Sequence, residues 1–553
     1  MLVVRRVLRQ LARLLPKKKK SLQAVESGVQ WEKSYEAAEL KQRPVSARLV
    51  ENVSFLNEVL GHNSDFVLRE IRLGVGAGVP AALAYVDGLV DRAIVSDTLI
   101  KGLTLEGRMA GLKAGDAGDL LLLAKNFLVS VAAVKEAADY FALLNGLLYG
   151  EVALLIDGED RALLVDAKGW AVRNIEEPAS EGLVRGPREG FTELMRTNTA
   201  LIRRRLRDPN LVVEGLCFGE RTRTQVEIVY IRGLAAPELV QEVKDRLSRI
   251  HIDGILESGQ IEELIEDNPY TPFPQVFHTE RPDRVVSMLL EGRVAIITDG
   301  TPIVLVVPAE FAVFMQAGED YYERYFLATA IRWLRYIALV TSLTLPSLYI
   351  AMTTYHQEMI PPRLLTSVAS SREGIPFPAF VEALLMEFFF EALREAGIRL
   401  PRQVGQAVSI VGALVIGQAA VSANIVSPLM VIVVALTGIA SFAAPVFSLA
   451  ITMRLLRFPM MVCAATLGLY GIVAGLLAIL VHAAGLRSFG IPYLAPLAPL
   501  HRRDLKDMLV RAPTWAMDHR PTELVKGDKR RQAPGQVPRP GSRRPPGGGG
   551  GGA

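Results

Sequence analysis

Between residues 336 and 483 this chain carries four apolar stretches and a fifth that is apolar yet studded with carboxylates. A bilayer core needs about 20 apolar residues to cross, and 336–354, 404–424, 428–450 and 459–483 each meet that length. The fifth stretch, FVEALLMEFFFEALREAG at 380–397, holds Glu382, Glu387, Glu391, Arg394 and Glu395 among its aromatic residues. Half of all residues are hydrophobic, but unevenly so: 1–320 reads as an ordinary globular chain and the long apolar runs begin past 325. Pro346 and Pro445 fall inside two of the runs, which neighbouring helices make tolerable by satisfying the freed carbonyls. Gly405, Ser409, Ala413 and Gly417 recur at four-residue steps, as do Gly471 and Gly475. Small stripes of this kind let helices approach closely. The expectation is a packed helical membrane domain over 321–500 with four or five spans.

The charged helix limits where 380–397 can sit. At about 100° per residue, with Glu382 at zero, Glu387 falls near 140°, Arg394 near 120°, Glu391 near 180° and Glu395 near 220°. Four charges share one face and Glu382 lies opposite. A carboxylate at the bilayer centre costs at least ~2.5 kcal/mol, so these groups must meet water, a partner charge or protein. Three environments qualify. The helix could lie flat at the interface, or be held by salt bridges, with Glu391 to Arg394 or to Arg399 or Arg402. It could also line an aqueous path as carboxylate rings that attract cations. A spanning helix places Arg399, Arg402, Arg454 and Arg457 on the side of the soluble half, as short-loop arginines should be, and then puts the basic C-terminal tail on the other side. A non-spanning helix reverses both. The four arginines favour the spanning arrangement.

The rest of the chain reads differently. Residues 1–20 carry eight Lys or Arg and no acid. Val4, Leu8, Leu11 and Leu15 make a stripe beside arginines, which predicts a basic amphipathic helix on anionic lipid within the segment 1–45, not an export signal. Residues 46–320 predict a soluble α/β domain. AALAYV (81–86), VALLID (152–157), ALLVDA (162–167), QVEIVYI (225–231), VAIIT (294–298) and PIVLVVP (302–308) read as strands, and PELVQEVKDRLSRI (237–250) as an amphipathic helix. Two strand pairs meet across Asp157-Gly158 and Asp299-Gly300, which supply the positive φ of a tight hairpin. One hairpin ends each half, so two subdomains dividing near 185 are expected, joined by 176–191. Residues 501–553 hold twelve Lys or Arg against five acids and end in a Pro/Gly run, which predicts a basic disordered tail. Basic ends around an acidic middle suit a membrane surface and not nucleic acid. GVGAG (74–78) lacks the context of a phosphate loop. Two cysteines, Cys217 and Cys463, make no disulfide framework. No metal-ligating cluster and no nucleophile elbow appears, so neither an enzyme nor a cofactor or metal is expected.

Longer stretches carry a resemblance. DYYERYFLATAIRWLRYIALVTSLTLPSLYIAMTTYHQEMIP, SREGIPFPAFVEALLMEFFFEALREAGIRLPRQVGQAVSIVGALVIGQAAV and LRSFGIPYLAPLAP, with VRGPREGFTE, NTALIRRRLRDP and FHTERPDRV in the soluble half, resemble the GerA family of spore germination membrane proteins. The likeness runs from about 46 to 500. It implies an A-type subunit of a nutrient germinant receptor in the spore inner membrane, with its N-terminal domain on the cytoplasmic, core side. It further implies a homo-oligomer that works with a B-type transporter-like subunit and a C-type lipoprotein and forms a path for cation release. Stage V sporulation protein AF, a channel component, is a close relative within the family. Under this resemblance Glu382, Glu387 and Glu391 become pore-facing, followed by Gln406, Ser409 and Gln418, for which helix–helix hydrogen bonding is the plainer alternative. His356 and Glu358 become gating residues or an ordinary loop. Arg203, Arg204 and Arg205 become subunit contacts or a solvated helix face. A non-conducting scaffold that couples a nutrient-binding partner to a separate channel is the rival reading of the whole chain.

Overall fold

The computed structural model describes residues 35–73, 78–101, 124–125, 133–169, 177–178, 181–399, 417–533 and 535–538. The N-terminal amphipathic stretch, most of GVGAG, and Gln406 and Ser409 lie outside these.

The soluble part is two copies of one plan. The first comprises α1 (Leu49–Leu60), β1 (Phe66–Leu73), β2 (Val79–Val86), β3 (Val134–Ala137), α2 (Tyr140–Leu148), β4 (Glu151–Ile156) and β5 (Ala162–Asp166). The second comprises α3 (Met195–Arg205), β6 (Leu211–Phe218), β7 (Thr224–Ile231), α4 (Pro237–Ser248), α5 (Ser258–Ile265), β8 (Phe277–Thr279), α6 (Pro282–Leu289), β9 (Val294–Thr298) and β10 (Val304–Val307). The antiparallel sheets run β1-β2-β4-β5-β3 and β6-β7-β9-β10-β8, the same order twice. The strands expected from the sequence are all present, and both Asp-Gly pairs turn hairpins, with Gly158 at φ 94° and Gly300 at φ 87°.

The repeat extends to individual hydrogen bonds. Asp157 Oδ1 accepts from the Leu49 N–H at 2.9 Å, and Asp299 Oδ1 accepts from the Met195 N–H at 3.1 Å. Gly158 N–H donates to the Ala47 carbonyl and Gly300 N–H to the Glu193 carbonyl, both at 2.8 Å. Asn52 clasps the backbone of Ser46, and Asn198 clasps that of Thr192. The reason is local: the first N–H groups of a helix have no intrahelical acceptor, and a carboxylate there also suits the helix dipole. Each hairpin tip therefore anchors the start of its own helix.

Both sheets are covered on two faces, so their central strands are continuously apolar. Val152 and Leu154 point into one core, Ala153 and Leu155 into the other. The subdomains are stitched together at Asn63–Asp65. Asn63 Oδ1 accepts from Val213 N–H at 2.7 Å, Ser64 Oγ donates to Glu227 at 2.5 Å, and Asp65 pairs with the buried Arg203. One face of the second sheet shares a continuous core with the helical part.

That helical part contains α7 (Tyr325–Thr354), α8 (Pro362–Arg372), α9 (Ala379–Arg399), α10 (Pro428–Ser441) and α11 (Phe447–Gly485). α7 and α11 are long and apolar enough to cross a membrane. α11 is not one rod. Gly468 takes φ 61°, ψ −141°, and a Cβ on Gly475 would lie 2.5 Å from Met460 Sδ. Thr452 donates to the Pro272 carbonyl at 2.5 Å while His482 meets Thr271 at 2.8 Å. In a straight helix those two residues would stand about 45 Å apart. The two legs, 447–467 and 469–485, fold back on each other, with both open ends against the soluble part. The expected runs 428–450 and 459–483 thus break elsewhere. Pro445 lies between helices and Pro459 inside a leg, because the positive φ of the turn is met at Gly468, where a side chain would be strained.

The expectation of a disordered tail from 501 is corrected for 501–533. Met508, Leu524 and Val525 are buried, and the fully buried Arg332 of α7 pairs with Asp320 at 3.0 Å and with Asp507 of the tail at 3.2 Å. Trp333 Nε1 donates to the Leu509 carbonyl at 2.9 Å. A buried guanidinium requires several acceptors, and the tail brings them. The tail therefore lies on the soluble side, in contrast to the expectation that went with a spanning 377–396. The extra leg of α11 accounts for the difference.

Candidate functional site

The carboxylates of α9 form a ladder of ion pairs along the helical part. At the end far from the soluble part, Glu382 is fully buried, pairs with Arg372 of α8 at 3.1 Å, and accepts from the Ser427 N–H at 2.9 Å. One and a half turns on, Glu387 meets Arg457 of α11 at 2.5 Å, and Arg457 Nε donates to the Ser342 carbonyl of α7 at 2.8 Å. Nearer the soluble part, Glu391 bridges Arg394 at 3.1 Å and Arg454 at 3.2 Å, and Arg394 reaches Ser441 of α10 at 3.3 Å. Glu395 pairs with Arg399 on the exposed end of the helix. The ladder ties α9 to α7, α8, α10 and α11.

This arrangement corresponds most closely to the salt-bridged environment among the three considered. Glu382 and Glu387 face protein within one chain and are not open to solvent. Glu391 keeps about a third of its surface open. Two buried polar atoms of the central pair, Glu387 Oε1 and Arg457 Nη2, have no hydrogen-bond partner. The Arg457 and Arg454 positions correct the reading of these residues as loop arginines: both lie on the first leg of α11, one turn apart. Their signal in the sequence was the placing of two arginines within an apolar run opposite a helix bearing glutamates at i and i+4.

Other expected residues are placed as follows. Gln418 is exposed. His356 follows α7 at the far end, packed against the Gly468 turn, its Nδ1 buried and unpartnered; Glu358 is exposed beside it. Arg203 is committed to Asp65 inside the chain, which corrects its assignment to a subunit contact. Arg204 and Arg205 both pair with Glu189, at 3.5 and 2.6 Å, and remain partly exposed. Residues that sequence reasoning missed are Arg372, Ser427, Ser342 and Ser441, the partners that neutralise or orient the ladder.

The family described as Bacillus/Clostridium GerA spore germination protein matches residues 54–523. The chain is 48% identical to spore germination protein KA of Bacillus subtilis (strain 168) over 91% of this chain and 92% of that one. It is 45% identical to the uncharacterized membrane protein YfkQ of the same organism, over 90% and 96%. Among solved structures, the N-terminal domain of the A subunit of the Bacillus megaterium spore germinant receptor GerK3 is 36% identical, with a TM-score of 0.39, covering 48% of this chain and 97% of that one. The chain belongs to the GerA family of spore germination proteins.

Proposed function

We propose that this protein is an A-type subunit of a nutrient germinant receptor in the spore inner membrane, and that several copies together form a cation release path. In this reading α7, α9, α10 and the two legs of α11 cross the bilayer, as does the apolar run 404–424 expected from the sequence, six crossings that return the tail to the side of the soluble part. The soluble part faces the spore core, because Arg394, Arg399 and Arg454 and the basic tail gather at that end. A B-type transporter-like subunit holding the nutrient and a C-type lipoprotein complete the receptor. The observation that carries the reading is the ladder itself: three carboxylates spaced along one membrane-depth helix, each held by an arginine from outside that helix, Arg372 of α8 or Arg457 and Arg454 of α11. Carboxylates are costly at that depth, and pairs between separate helices can exchange partners when the helices move. The described state is the closed one, in which arginines neutralise Glu382, Glu387 and Glu391. On opening, these glutamates, with Gln406, Ser409 and Gln418, attract cations. His356 and Glu358 flank the far mouth, and Arg204 and Arg205 face neighbouring copies. Cation flux through vesicles holding the complex, compared between wild type and Glu391→Gln at equal membrane level, tests this.

One observation favours the rival scaffold reading. The pairs of Glu382 and Glu387 close within a single chain, as a purely structural ladder would. In a scaffold, neutralising Glu391 changes assembly and leaves ion preference untouched.

A further inference from the structure

Where α9, α10 and the first leg of α11 reach the soluble part, they enclose a cavity of about 330 Å³ whose walls carry opposite charge. Arg394 and Arg454 stand on the helical wall; Glu181, His278 and Glu280 stand on the soluble wall. The helical wall also keeps a buried polar atom without a hydrogen-bond partner, Nε of Arg394. The Arg394 side chain is only 9% exposed, so water offers it little. A buried donor of this kind gains from any ligand that brings an acceptor. Burial pushes the Glu181 carboxyl above its ordinary range, with Glu280 adding to the rise while Thr279, Arg284 and Arg281 oppose it. The rim is aromatic and open: Phe442 is 68% and Phe447 58% exposed. Arg394 lies 4.9 Å from the Phe442 ring and Arg454 5.4 Å from the Phe447 ring. Exposed Phe rings beside arginines at the end of apolar helices offer an apolar exit next to a cationic site, with the arginine stems covering apolar surface.

We propose that this cavity binds the headgroup of a zwitterionic phospholipid of the phosphoethanolamine class. The phosphodiester sits on Arg394 and Arg454, the ammonium group turns toward Glu181 and Glu280, and the acyl chains leave over Phe442 and Phe447. Two features select this class. Glu391 already shares both arginines, leaving about one net positive charge, which matches one phosphodiester. The acidic wall repels a purely anionic headgroup and rewards an ammonium that can donate hydrogen bonds, which a trimethylated choline cannot. The inference rests on the membrane reading above. It gives the lipid a role that couples the soluble part to the ladder, since Arg394 and Arg454 belong to both.

The test uses the full chain in vesicles of phosphatidylglycerol, alone or with added phosphatidylethanolamine or phosphatidylcholine. Thermal unfolding and lipid retained on mild extraction are the readouts. Phosphatidylethanolamine raises the unfolding midpoint and is retained, and phosphatidylcholine does neither. Glu280→Gln and Arg454→Gln each weaken that preference by about tenfold, one charge-assisted contact's worth. Glu280→Gln touches no rung of the ladder and melts as wild type in phosphatidylglycerol alone, which separates ligand loss from misfolding. Equal retention of the two lipids, or an undiminished preference in Glu280→Gln, overturns the proposal. Displacement of the lipid effect by soluble O-phosphoethanolamine at like concentration also overturns it, in favour of a free metabolite. A chain that does not insert into vesicles at all overturns the membrane reading itself.

Discussion

Arg457 Nη1 lies 2.5 Å from Glu387 Oε2, and neither side chain is reached by solvent. The two residues sit on different helices and are joined by nothing local. Taking two such charges out of water costs more than their attraction returns unless further hydrogen bonds share the load. Here the Ser342 carbonyl supplies one, while Glu387 Oε1 and Arg457 Nη2 are left without partners. The pair is thus poorly compensated for a purely structural element, which is the physical ground for regarding it as part of a device that opens.

Removing one partner strands the other. Glu387→Gln leaves a buried, uncompensated guanidinium and is expected to destabilise the helical part by about 3–5 kcal/mol. Replacing both, as Glu387→Leu with Arg457→Met, removes both charges at similar volume and is expected to return most of that loss. Thermal unfolding of the two variants in detergent checks it; a double variant no better than the single one contradicts it.

The repeated hairpin anchors predict equal effects at two places far apart in sequence. Asp157→Ala and Asp299→Ala each remove an acceptor at a helix start and are expected to cost about 1 kcal/mol. Local hydrogen exchange should quicken at Leu49 in one variant and at Met195 in the other. Gly300→Ala meets no atom within 4 Å of its new Cβ, so its cost is the backbone penalty at positive φ alone, about 1–2 kcal/mol. Urea unfolding of each variant gives the comparison.

Two acids on or beside α5 set a pH dependence. Burial, with the charges of Glu266 and Glu257 nearby, raises Glu262 to about 7, and burial with Glu263 and Asp267 raises Glu266 to about 7. Both folded values exceed the ordinary glutamate value of 4.5, so the native state holds extra protons between about pH 4.5 and 7. Stability from these groups is therefore present at the acid end and is lost as pH rises through that window, by at most about 1.4 kcal/mol per pH unit for each group. Glu262→Gln should flatten the curve of unfolding midpoint against pH between 5 and 7. An unchanged slope contradicts the assignment.

Truncation tests the packing of residues 501–533. Ending the chain after Leu500 removes Asp507 from the buried Arg332 and uncovers the surfaces that Met508, Leu524 and Val525 fill. A loss of several kcal/mol and rapid proteolysis near α7 are expected.

What could be read from the sequence was what is decided locally. The Asp-Gly hairpins and the apolar strands announced themselves, because turn chemistry and burial act over a few residues. The repeat is legible as well once the copies are aligned: LLYGEVALLIDG (147–158) matches LLEGRVAIITDG (289–300), and AYVDGL (84–89) matches VYIRGL (229–234). Hydropathy located apolar runs without direction, so the reversal at Gly468 was hidden and Pro445 drew a span across a break. The carboxylates of α9 were identified, but the partner of Glu387 lies 70 residues away, a distance at which only the packed structure decides between pairing and water. The tail shows the limit of composition: a basic, proline-rich average concealed Asp507, Met508, Leu524 and Val525, which hold it in place.

Cation flux through vesicles holding the complex tests the central claim most directly. Wild type is compared with Glu387→Gln, with Glu391→Gln, and with the swapped pair Glu387→Arg plus Arg457→Glu, each at measured and matched membrane level. A cation path closed by these pairs predicts that flux or cation preference changes in the Gln variants, and that the swapped pair assembles but conducts differently from wild type. Unchanged flux and preference at equal assembly, or a swapped pair that restores both assembly and wild-type flux, contradicts it and leaves the ladder as a strut of a scaffold.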